Sequence, residues 1–414
     1  MNYKEHFDRL IEFLLPYEGM WNSEILEDYP RTMDAYPSAW LDDLERLSKE
    51  DLWLFDCKAH TDKLKDQSLI AFMNELSEHT SLDKFSYKVE RDFPDWAFRK
   101  VKEKKRHEIT LITAFLNELE KSSPHSHTID IGGGVGHLAR VLAHYYGIKT
   151  KTIDINKEFQ EIGLKRSKAF PLPEGANELE FIHMNFIEEG NSKKMQNVFS
   201  KDSLTLGLHT CGALANSVID THIKMQTKSL LNFGCCYLKM NAMRDCNLSN
   251  YAKKVNSLKL TKWSLTLSSR GYTTMSFKQY LLKERVKAFR YTLQLLLNQI
   301  HGKSHFVSVG DSHQREYWGD FSSYAEKKLK SLEISHNFSS KELDDFFENS
   351  DHKRIVKRMY LANILRWQFG RILEHYILTD RCILLEESGH KVQMKELFDE
   401  SLSPRNIGIF STLS

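Results

Sequence analysis

A glycine-rich turn between two acidic residues is the part of this sequence best suited to hold a ligand. Asp130 stands just before the turn, and Asp154 stands at the end of the next apolar stretch. Glycine lets the backbone turn tightly and approach a ligand closely, and the turn contains Gly132, Gly133, Gly134 and Gly136. Asp154 is at the reach where a carboxylate accepts both hydroxyls of a ribose. The pattern predicts a site for an adenosine-containing ligand.

Residues around the turn discriminate among such ligands. A glycine-rich turn alone serves nicotinamide, flavin and S-adenosylmethionine enzymes, but His137 occupies the place of the third glycine in the dinucleotide fingerprint. Asp130 would repel a pyrophosphate, whereas it could accept hydrogen bonds from the cationic amino-acid end of S-adenosylmethionine. Methyl transfer from S-adenosylmethionine is therefore the predicted chemistry. Asn185 and Phe186, at the end of the third predicted strand, complete the predicted cofactor site.

A second cluster, at the ends of the fourth and fifth predicted strands, is the predicted place of the methyl acceptor. It consists of the segments LGLHTCGALA and FGCCYLKM, and its predicted catalytic residues are His209, Thr210, Cys211 and Tyr237. His209 is the candidate general base or orienting group, and Thr210 is expected to shape the pocket. Cys211 could also attack a pyrimidine ring, if a neighbouring base or cation makes it a thiolate.

The cysteines of this cluster leave alternatives open. Cys235 and Cys236 could simply be small buried residues, the commonest fate of a free cysteine. A zinc site formed by them with His209 and Cys211 is the rival, but H-x-C with adjacent cysteines is not a usual ligand spacing. No metal is therefore predicted. The absence of a D/N-P-P-Y/F turn after the fourth strand disfavours methylation of adenine N6.

A basic run precedes the glycine turn and opens an amphipathic helix. Its six cations are Arg99, Lys100, Lys102, Lys104, Lys105 and Arg106. They are either a solvated helix start or a patch that contacts the phosphates of a substrate beside the ligand site. On the second interpretation RNA is the expected partner.

The elements that position these residues alternate between strand and helix. Strands are predicted at 128–131, 150–155, 179–186, 204–209 and 229–234, followed by a hairpin of 391–398 and 406–413. This predicts an α/β, Rossmann-like fold in which a parallel sheet is closed by an antiparallel hairpin, as in class I methyltransferases. The predicted division is a helical N-terminal cap (1–98), the cofactor-binding core (99–274), a helical insertion (275–390) and the hairpin (391–414).

Composition adds only broad limits. The 414 residues carry 58 Lys and Arg against 56 Asp and Glu, a net charge of +2, which argues neither for nor against nucleic acid. Six cysteines in so long a chain do not indicate a disulfide framework, and the N-terminus lacks a signal pattern. A cytoplasmic setting is predicted, with a nuclear one left open. No run approaches the roughly 18 apolar residues of a membrane span, so no membrane partner is expected.

Several segments together resemble the methyltransferase-like twenty-five family, whose relatives include a protein named for a ribosomal RNA adenine dimethylase domain. They are YPSAWLDDLERLSKEDL near the N-terminus, KKRHEI at 104–109, IDIGGGVGHLAR at 129–140, LHTCGALA at 208–215, GCCY at 234–237, FRYTLQLLL at 289–297 and LTDRCILLEE through LSPRN at 378–406. The resemblance spans nearly the whole chain and implies a class I fold with S-adenosylmethionine at the glycine turn. The second cluster is also similar to a tRNA 2′-O-methyltransferase family, except that Tyr237 stands where that family has histidine.

The sequence thus predicts a methyltransferase acting on RNA, either tRNA or rRNA. One alternative is a methyltransferase-fold protein with little or no activity that serves as a protein-interaction subunit. Another is a methyltransferase for a protein or small-molecule acceptor. Protein partners are not predicted.

Overall fold

The computed structural model describes residues 1–89, 91–169, 172–189, 193–270, 274–302 and 306–413. The chain forms two compact units. Unit 1 contains Met1–Glu12, Thr80–Gly271 and Leu373–Ser414, and unit 2 contains Phe13–His79 and Tyr272–Ile372. Part of the predicted cap therefore belongs to the same unit as the predicted core, and most of it belongs with the predicted insertion. Among the described residues, no helix is long and apolar enough to cross a membrane.

The helices and strands follow the predicted order. The first part of the chain contains α1 (Tyr3–Leu14), α2 (Glu18–Trp21), α3 (Ser38–Glu45), α4 (Lys49–Lys58), α5 (Gln67–His79) and α6 (Glu103–Ser122). The middle contains β1 (Thr128–Ile131), α7 (His137–Tyr146), β2 (Thr150–Asp154), α8 (Lys157–Ala169), β3 (Leu179–His183), α9 (Phe186–Glu189), α10 (Lys193–Gln196), β4 (Leu204–Cys211), α11 (Ala213–Met225) and β5 (Ser229–Cys236). The last part contains α12 (Ala242–Asp245), α13 (Asn250–Lys254), α14 (Lys262–Ser268), α15 (Phe277–His301), α16 (Phe321–Ser331), α17 (Ser340–Glu348), α18 (Ser350–Glu387), β6 (His390–Glu396) and β7 (Ile407–Leu413).

Unit 1 is built on one seven-stranded sheet of order β3-β2-β1-β4-β5-β7-β6. The first five strands pair in parallel, and β7 pairs antiparallel with both β5 and β6. The predicted class I methyltransferase sheet is confirmed. Because the strand order reverses between β1 and β4, the carboxyl ends of these strands face the crevice where open α/β sheets bind ligands.

Strand ends differ from the prediction where ligand-facing residues lie. The third strand ends at His183, because Phe186 already begins the short helix α9. The fourth and fifth strands run further than predicted, to Cys211 and Cys236, and remain paired there through an irregularity in register near Leu208 and Thr210. Such a bulge turns a side chain away from the regular alternation of a strand.

Helix α6 fixes the basic run relative to the sheet. Its apolar side chains, among them Ile109 and Ile112, pack in one buried cluster with Leu206 and Leu231 of the sheet. A helix buries one stripe because apolar residues recur every three to four positions. Glu108, the residue before Ile109, is also buried although it is charged.

Unit 2 is helical and has its own core. Phe289, Leu293 and Leu297 of α15 pack there against Phe321 and Tyr324 of α16. The predicted helices at 281–300, 321–332 and 353–387 are observed as α15, α16 and α18 with slightly longer or shifted bounds.

Candidate active site

The glycine turn links β1 to α7 in a conformation that only glycine adopts without strain. Gly132, Gly134 and Gly136 have φ angles of +73°, +60° and +68°, a region that side chains with a Cβ rarely occupy. The turn is anchored to β2, since the Gly132 N–H donates to the carbonyl of Ile153 at 2.8 Å. The backbone is therefore shaped and fixed before any ligand arrives.

Asp154 ties the end of β2 to this turn. Its Oδ2 accepts a hydrogen bond from the Gly134 N–H at 2.8 Å, and its Oδ1 accepts one from the Asn156 N–H at 2.8 Å. An ionised carboxylate has about four lone-pair sites, so each oxygen retains capacity for one more donor. Asp154 is half-buried, as a residue that receives ribose hydroxyls should be. The location fits its predicted role.

Asp130 lies beneath the turn and is almost fully buried. Burial raises the pKa of this carboxyl to about 7. The charge of Lys105 opposes that shift, and the charge of Asp154 reinforces it. Its Oδ2 makes no hydrogen bond of ordinary geometry within the described part of the chain. A Cβ at Gly133 would collide with this carboxylate and with the Thr152 hydroxyl. A buried acid with an unpaired oxygen, in a cradle that glycine keeps open, fits a cationic ammonium ligand such as the amino-acid end of S-adenosylmethionine.

His137 at the start of α7 departs from the dinucleotide pattern in the structure as well. Burial, followed by the charges of Arg140, Lys105 and Arg166, lowers the pKa of His137 to about 4. The imidazole is therefore neutral at neutral pH, and its Nε2 lies 3.4 Å from the Arg166 guanidinium. Where a dinucleotide site would have a glycine, this chain has a bulky uncharged ring.

The two residues predicted at the end of the third strand, Asn185 and Phe186, follow Met184 and differ in exposure. The Met184 N–H donates to the Asp154 carbonyl at 3.1 Å, which holds the segment that follows β3 next to the end of β2. Asn185 is half-buried, and its backbone N–H donates to Glu189 Oε1 at 3.0 Å. Phe186 is buried and packs near Phe199. Asn185 is thus the more accessible of the two.

His209 at the end of β4 pairs with a carboxylate that we did not predict. Its Nε2 lies 2.9 Å from Oε2 of Glu108, and its backbone φ of +59° is unusual for a residue with a Cβ. Glu108 is only 1% exposed, and its other oxygen accepts a hydrogen bond from the Ser403 hydroxyl at 2.6 Å. The Glu108–His209 dyad is thus built from α6 and β4, and Ser403 supports it from the loop before β7.

The electrostatics of this pair favour an ionised glutamate. Burial opposes the charge of Glu108, but the hydrogen bond and charge of His209, the Ser403 hydroxyl and Lys104 together lower the pKa of Glu108. When Nε2 donates its proton to Glu108, Nδ1 of a neutral His209 is left as the proton acceptor. The one sequence signal for Glu108 was a charged residue within the apolar stripe of α6, in the segment KKRHEI.

Thr210 and Tyr237, predicted with His209 as catalytic, are placed in the protein interior. Thr210 is 1% exposed and donates its hydroxyl proton to Asn232 Oδ1 at 2.8 Å. Tyr237 is also 1% exposed, and its hydroxyl lies 2.9 Å from the Gly234 carbonyl and 3.1 Å from Glu374 Oε1. Both side chains are engaged in buried hydrogen bonds, and their catalytic role stays a prediction.

The structure brings Cys211 together with both adjacent cysteines of β5. The sulfur atoms of Cys211, Cys235 and Cys236 all lie within 4.8 Å of one another. Hydrogen bonding from Cys235 is the largest influence that lowers the pKa of Cys211 to about 5, and burial opposes it. The pKa of Cys235 is raised correspondingly, by its hydrogen bond to Cys211 and by burial.

The six basic residues lie just before α6 and in its first turn, with unequal surroundings. Arg99, Lys100 and Lys102 are exposed, and the Arg106 guanidinium lies over the Phe98 ring. Lys104 Nζ is 3.6 Å from Glu108 Oε1. Lys105 is half-buried, and its charge acts on Asp130 and His137. The run therefore borders both the cofactor turn and the Glu108–His209 pair.

The known proteins to which this chain is similar include a protein family and two curated relatives. A protein-family model described as a methyltransferase domain matches residues 102–243. The probable methyltransferase-like protein 25 of Mus musculus is 27% identical over 223 residues, and that of Homo sapiens is 23% identical over 222 residues. Each match covers 50% of this chain and 36% of the relative. The matched region is thus little more than a third of each curated protein.

Two solved methyltransferases show limited structural similarity. One is the magnesium protoporphyrin IX methyltransferase from Synechocystis PCC 6803 with bound SAM, at 13% identity and a TM-score of 0.25 over 34% of this chain and 64% of that chain. The other is a plantazolicin methyltransferase in complex with SAH, at 10% identity and a TM-score of 0.23 over 57% of this chain and 76% of that chain.

The resemblance first noted in the motifs is confirmed by the domain match and by the two relatives. The domain match begins in the basic run before α6 and ends just after β5, so it includes the glycine turn, Asp154 and His209. The chain therefore carries a class I S-adenosylmethionine-dependent methyltransferase domain, and two of its curated relatives are described as probable methyltransferase-like protein 25.

Proposed function

We propose that this protein transfers a methyl group from S-adenosylmethionine to RNA, with His209 as the base that removes a proton from the acceptor. The observation that carries the proposal is the contact of His209 with buried Glu108 at the carboxyl end of β4, on the edge of the sheet that also bears the glycine turn. When bound, S-adenosylmethionine supplies a methyl group already activated by its positively charged sulfur. The chain must then mainly align and deprotonate the acceptor.

The residues divide this work among themselves. Asp154 is placed to fix a ribose, and Asp130 is placed to receive the ammonium group. Glu108 fixes the orientation and tautomer of His209, and its negative charge stabilises the imidazolium that forms when His209 takes a proton. General bases held in this way typically contribute about 10²–10⁴-fold to a rate.

An RNA acceptor is supported by the position of the basic run on α6. Lys104 precedes Glu108 by one helical turn and lies 3.6 Å from its carboxylate, while Arg99, Lys100 and Lys102 continue the run on the surface. Residues four apart on a helix share a face. A polyanion that contacts Lys104 would therefore lie close to the Glu108–His209 pair.

A methyl-transfer experiment tests the proposal. Total RNA and total protein from cells lacking the gene are incubated with the purified chain and tritiated S-adenosylmethionine, followed by ribonuclease or protease. We expect label that ribonuclease releases, that His209→Asn abolishes and that Lys253→Gln leaves unchanged. Lys253 is the control because it is exposed in unit 1, on α13, and does not belong to the basic run.

Other outcomes would replace this proposal. Label that resists ribonuclease and yields to protease would identify a protein acceptor. Absence of label from RNA, protein and small-molecule fractions, with cofactor binding intact, would favour the non-catalytic alternative.

A further inference from the structure

The three clustered cysteines converge at the ends of two neighbouring strands. Cys211 ends β4, Cys236 ends β5, and the two residues are partners in the register of the sheet. The sulfur atoms of Cys235 and Cys236 are 3.7 Å apart, and Cys211 completes a group within 4.8 Å. We propose that Cys211, Cys235 and Cys236 form a zinc-binding site with one open coordination position.

The separation of the sulfur atoms fits tetrahedral zinc. Zinc–thiolate bonds of about 2.3 Å at tetrahedral angles place two sulfur atoms about 3.8 Å apart, close to the 3.7 Å between Cys235 and Cys236. Adjacent residues of a regular strand point to opposite faces, so two neighbouring thiols would not usually meet at one ion. Here β5 ends at Cys236, whose φ and ψ of −112° and 70° lead into the 3₁₀ turn Tyr237–Lys239, and the two thiols converge.

The charge around the cluster also suits three thiolates. The Arg405 guanidinium donates to the Cys235 carbonyl at 2.7 Å and approaches the Cys236 sulfur at 3.5 Å, and it also contacts the Ser269 carbonyl. Three thiolates around one divalent ion leave a single negative charge, which the arginine balances. Hydrogen bonds of this kind orient metal ligands and tune the ion.

The cluster is accessible enough to exchange a ligand. Cys235 is buried, whereas Cys211 and Cys236 are half-buried. In the described ranges, no further His, Cys, Asp or Glu ligand atom belongs to the group. Three protein ligands with an open fourth position are the pattern of zinc sites that bind water or substrate, whereas purely structural sites usually have four. This inference does not depend on the identity of the methyl acceptor.

Metal analysis of the full, tag-free chain tests the site. We expect about one zinc ion per chain after dialysis against a weak chelator, and below about a tenth of that in Cys211→Ala, Cys235→Ala or Cys236→Ala. The matched control is Cys246→Ala, since Cys246 is a buried thiol of unit 1 that does not belong to the group. Zinc-edge X-ray absorption should give three sulfur neighbours at about 2.3 Å and one lighter atom.

A second measurement separates ligand loss from misfolding. Cobalt added to the metal-free wild type should produce thiolate charge-transfer absorption, which each of the three variants loses while its far-ultraviolet circular dichroism is unchanged. If a variant unfolds, the zinc-edge X-ray absorption spectrum of the wild type still tests the site, because it gives the number of sulfur atoms around the zinc ion. The proposal would be overturned if the wild type contained almost no zinc or bound another metal. It would also be overturned by a disulfide among these cysteines in place of the ion, or by equal zinc content in all variants.

Discussion

Nε2 of His209 lies 2.9 Å from Oε2 of Glu108, although the two residues are 101 positions apart in the chain. The contact is formed where β4 departs from regular register and His209 adopts a φ of +59°. A side chain with a Cβ typically costs about 1–3 kcal/mol in such a conformation, and surrounding structure must maintain it. Glu108 and the paired strands provide that support, so the orientation of His209 is set before the acceptor binds.

Substituting either Glu108 or His209 should reduce turnover without weakening cofactor binding. In Glu108→Gln the side chain keeps its size but no longer stabilises an imidazolium, and His209→Asn suits the positive φ but removes the base. We expect kcat to fall by about 10²–10⁴-fold in each, with the dissociation constant for S-adenosylhomocysteine changed less than twofold by calorimetry. Ser403→Ala is the milder control, because it removes only the hydrogen bond to the other Glu108 oxygen. Full activity of His209→Asn would exclude His209 as the general base.

The fold followed from features that are local in sequence. Alternating apolar strands and helices, and the turn at 132–136, are set by residues close together in the chain, so the order of elements and the parallel sheet were predicted correctly. The positions of Asp130 in the first strand and of Asp154 at the end of the second were predicted for the same reason. Their burial and hydrogen bonds were not, because these depend on how β1 and β2 pack.

The predicted methyl-acceptor site was harder to describe from the sequence, because its contacts connect segments that are distant in the chain. Glu108, His209 and Ser403 come from three parts of the chain, and no spacing rule joins them. Thr210 lies on β4 and Tyr237 in the turn after β5, and the burial of both side chains depends on contacts that the sequence does not show. The convergence of the Cys235 and Cys236 thiols likewise depends on how β5 ends and the next turn begins.

Cofactor affinity should depend on the ionisation of Asp130. Burial raises the pKa of Asp130 from 3.8 to about 7, and only the ionised form attracts the ammonium group. We expect the affinity for S-adenosylhomocysteine to rise between pH 5 and pH 7, by at most about tenfold per pH unit, and then to level off. Calorimetry across this range should show weak binding without that slope in Asp130→Asn. A flat wild-type profile would contradict the role of Asp130.

The same group should also affect the stability of the ligand-free protein. Because the folded pKa lies above the ordinary value of 3.8, the folded state binds more protons, and ionisation of Asp130 costs stability as pH rises from about 4 to 7. Asp130→Asn should therefore raise the melting temperature more at pH 8 than at pH 5. Thermal unfolding at both pH values measures the difference, and an equal effect at both would show that Asp130 is not the group concerned.

RNA binding should be weakened by removing exposed cations of the basic run. Arg99, Lys100 and Lys102 together changed to Gln should lower RNA affinity and reduce the slope of log K against log salt by about 0.7 for each phosphate that the variant no longer neutralises. The comparison variant changes Lys253, Lys254 and Lys391, which are exposed elsewhere in unit 1. Fluorescence anisotropy with labelled RNA at several salt concentrations measures both. Equal effects of the two triple variants would contradict a specific RNA surface.

Unit 2 should depend on a buried ion pair between α4 and α15. Lys283 Nζ lies 2.5 Å from Asp56 Oδ2, with side-chain exposures of 12% and 0%, and 3.2 Å from the centre of the Trp367 ring. Removing one partner leaves the other charge buried, which typically costs about 3–5 kcal/mol. Lys283→Met should therefore lower the free energy of unfolding by about that amount. Denaturant unfolding measures the change, with Lys353→Met as the exposed control, and equal stability of the two variants would refute the importance of the pair.

Methyl transfer requires cofactor binding at the glycine turn, and calorimetry with S-adenosylhomocysteine measures that binding. Asp154 both holds Gly134 and is placed to receive the ribose. We expect wild type and His209→Asn to bind one ligand with equal affinity, and Asp154→Ala to bind at least about tenfold more weakly, since a hydrogen bond to a charged group is worth about 1.5–3 kcal/mol. No binding by the wild type, or equal binding by Asp154→Ala, would contradict the account.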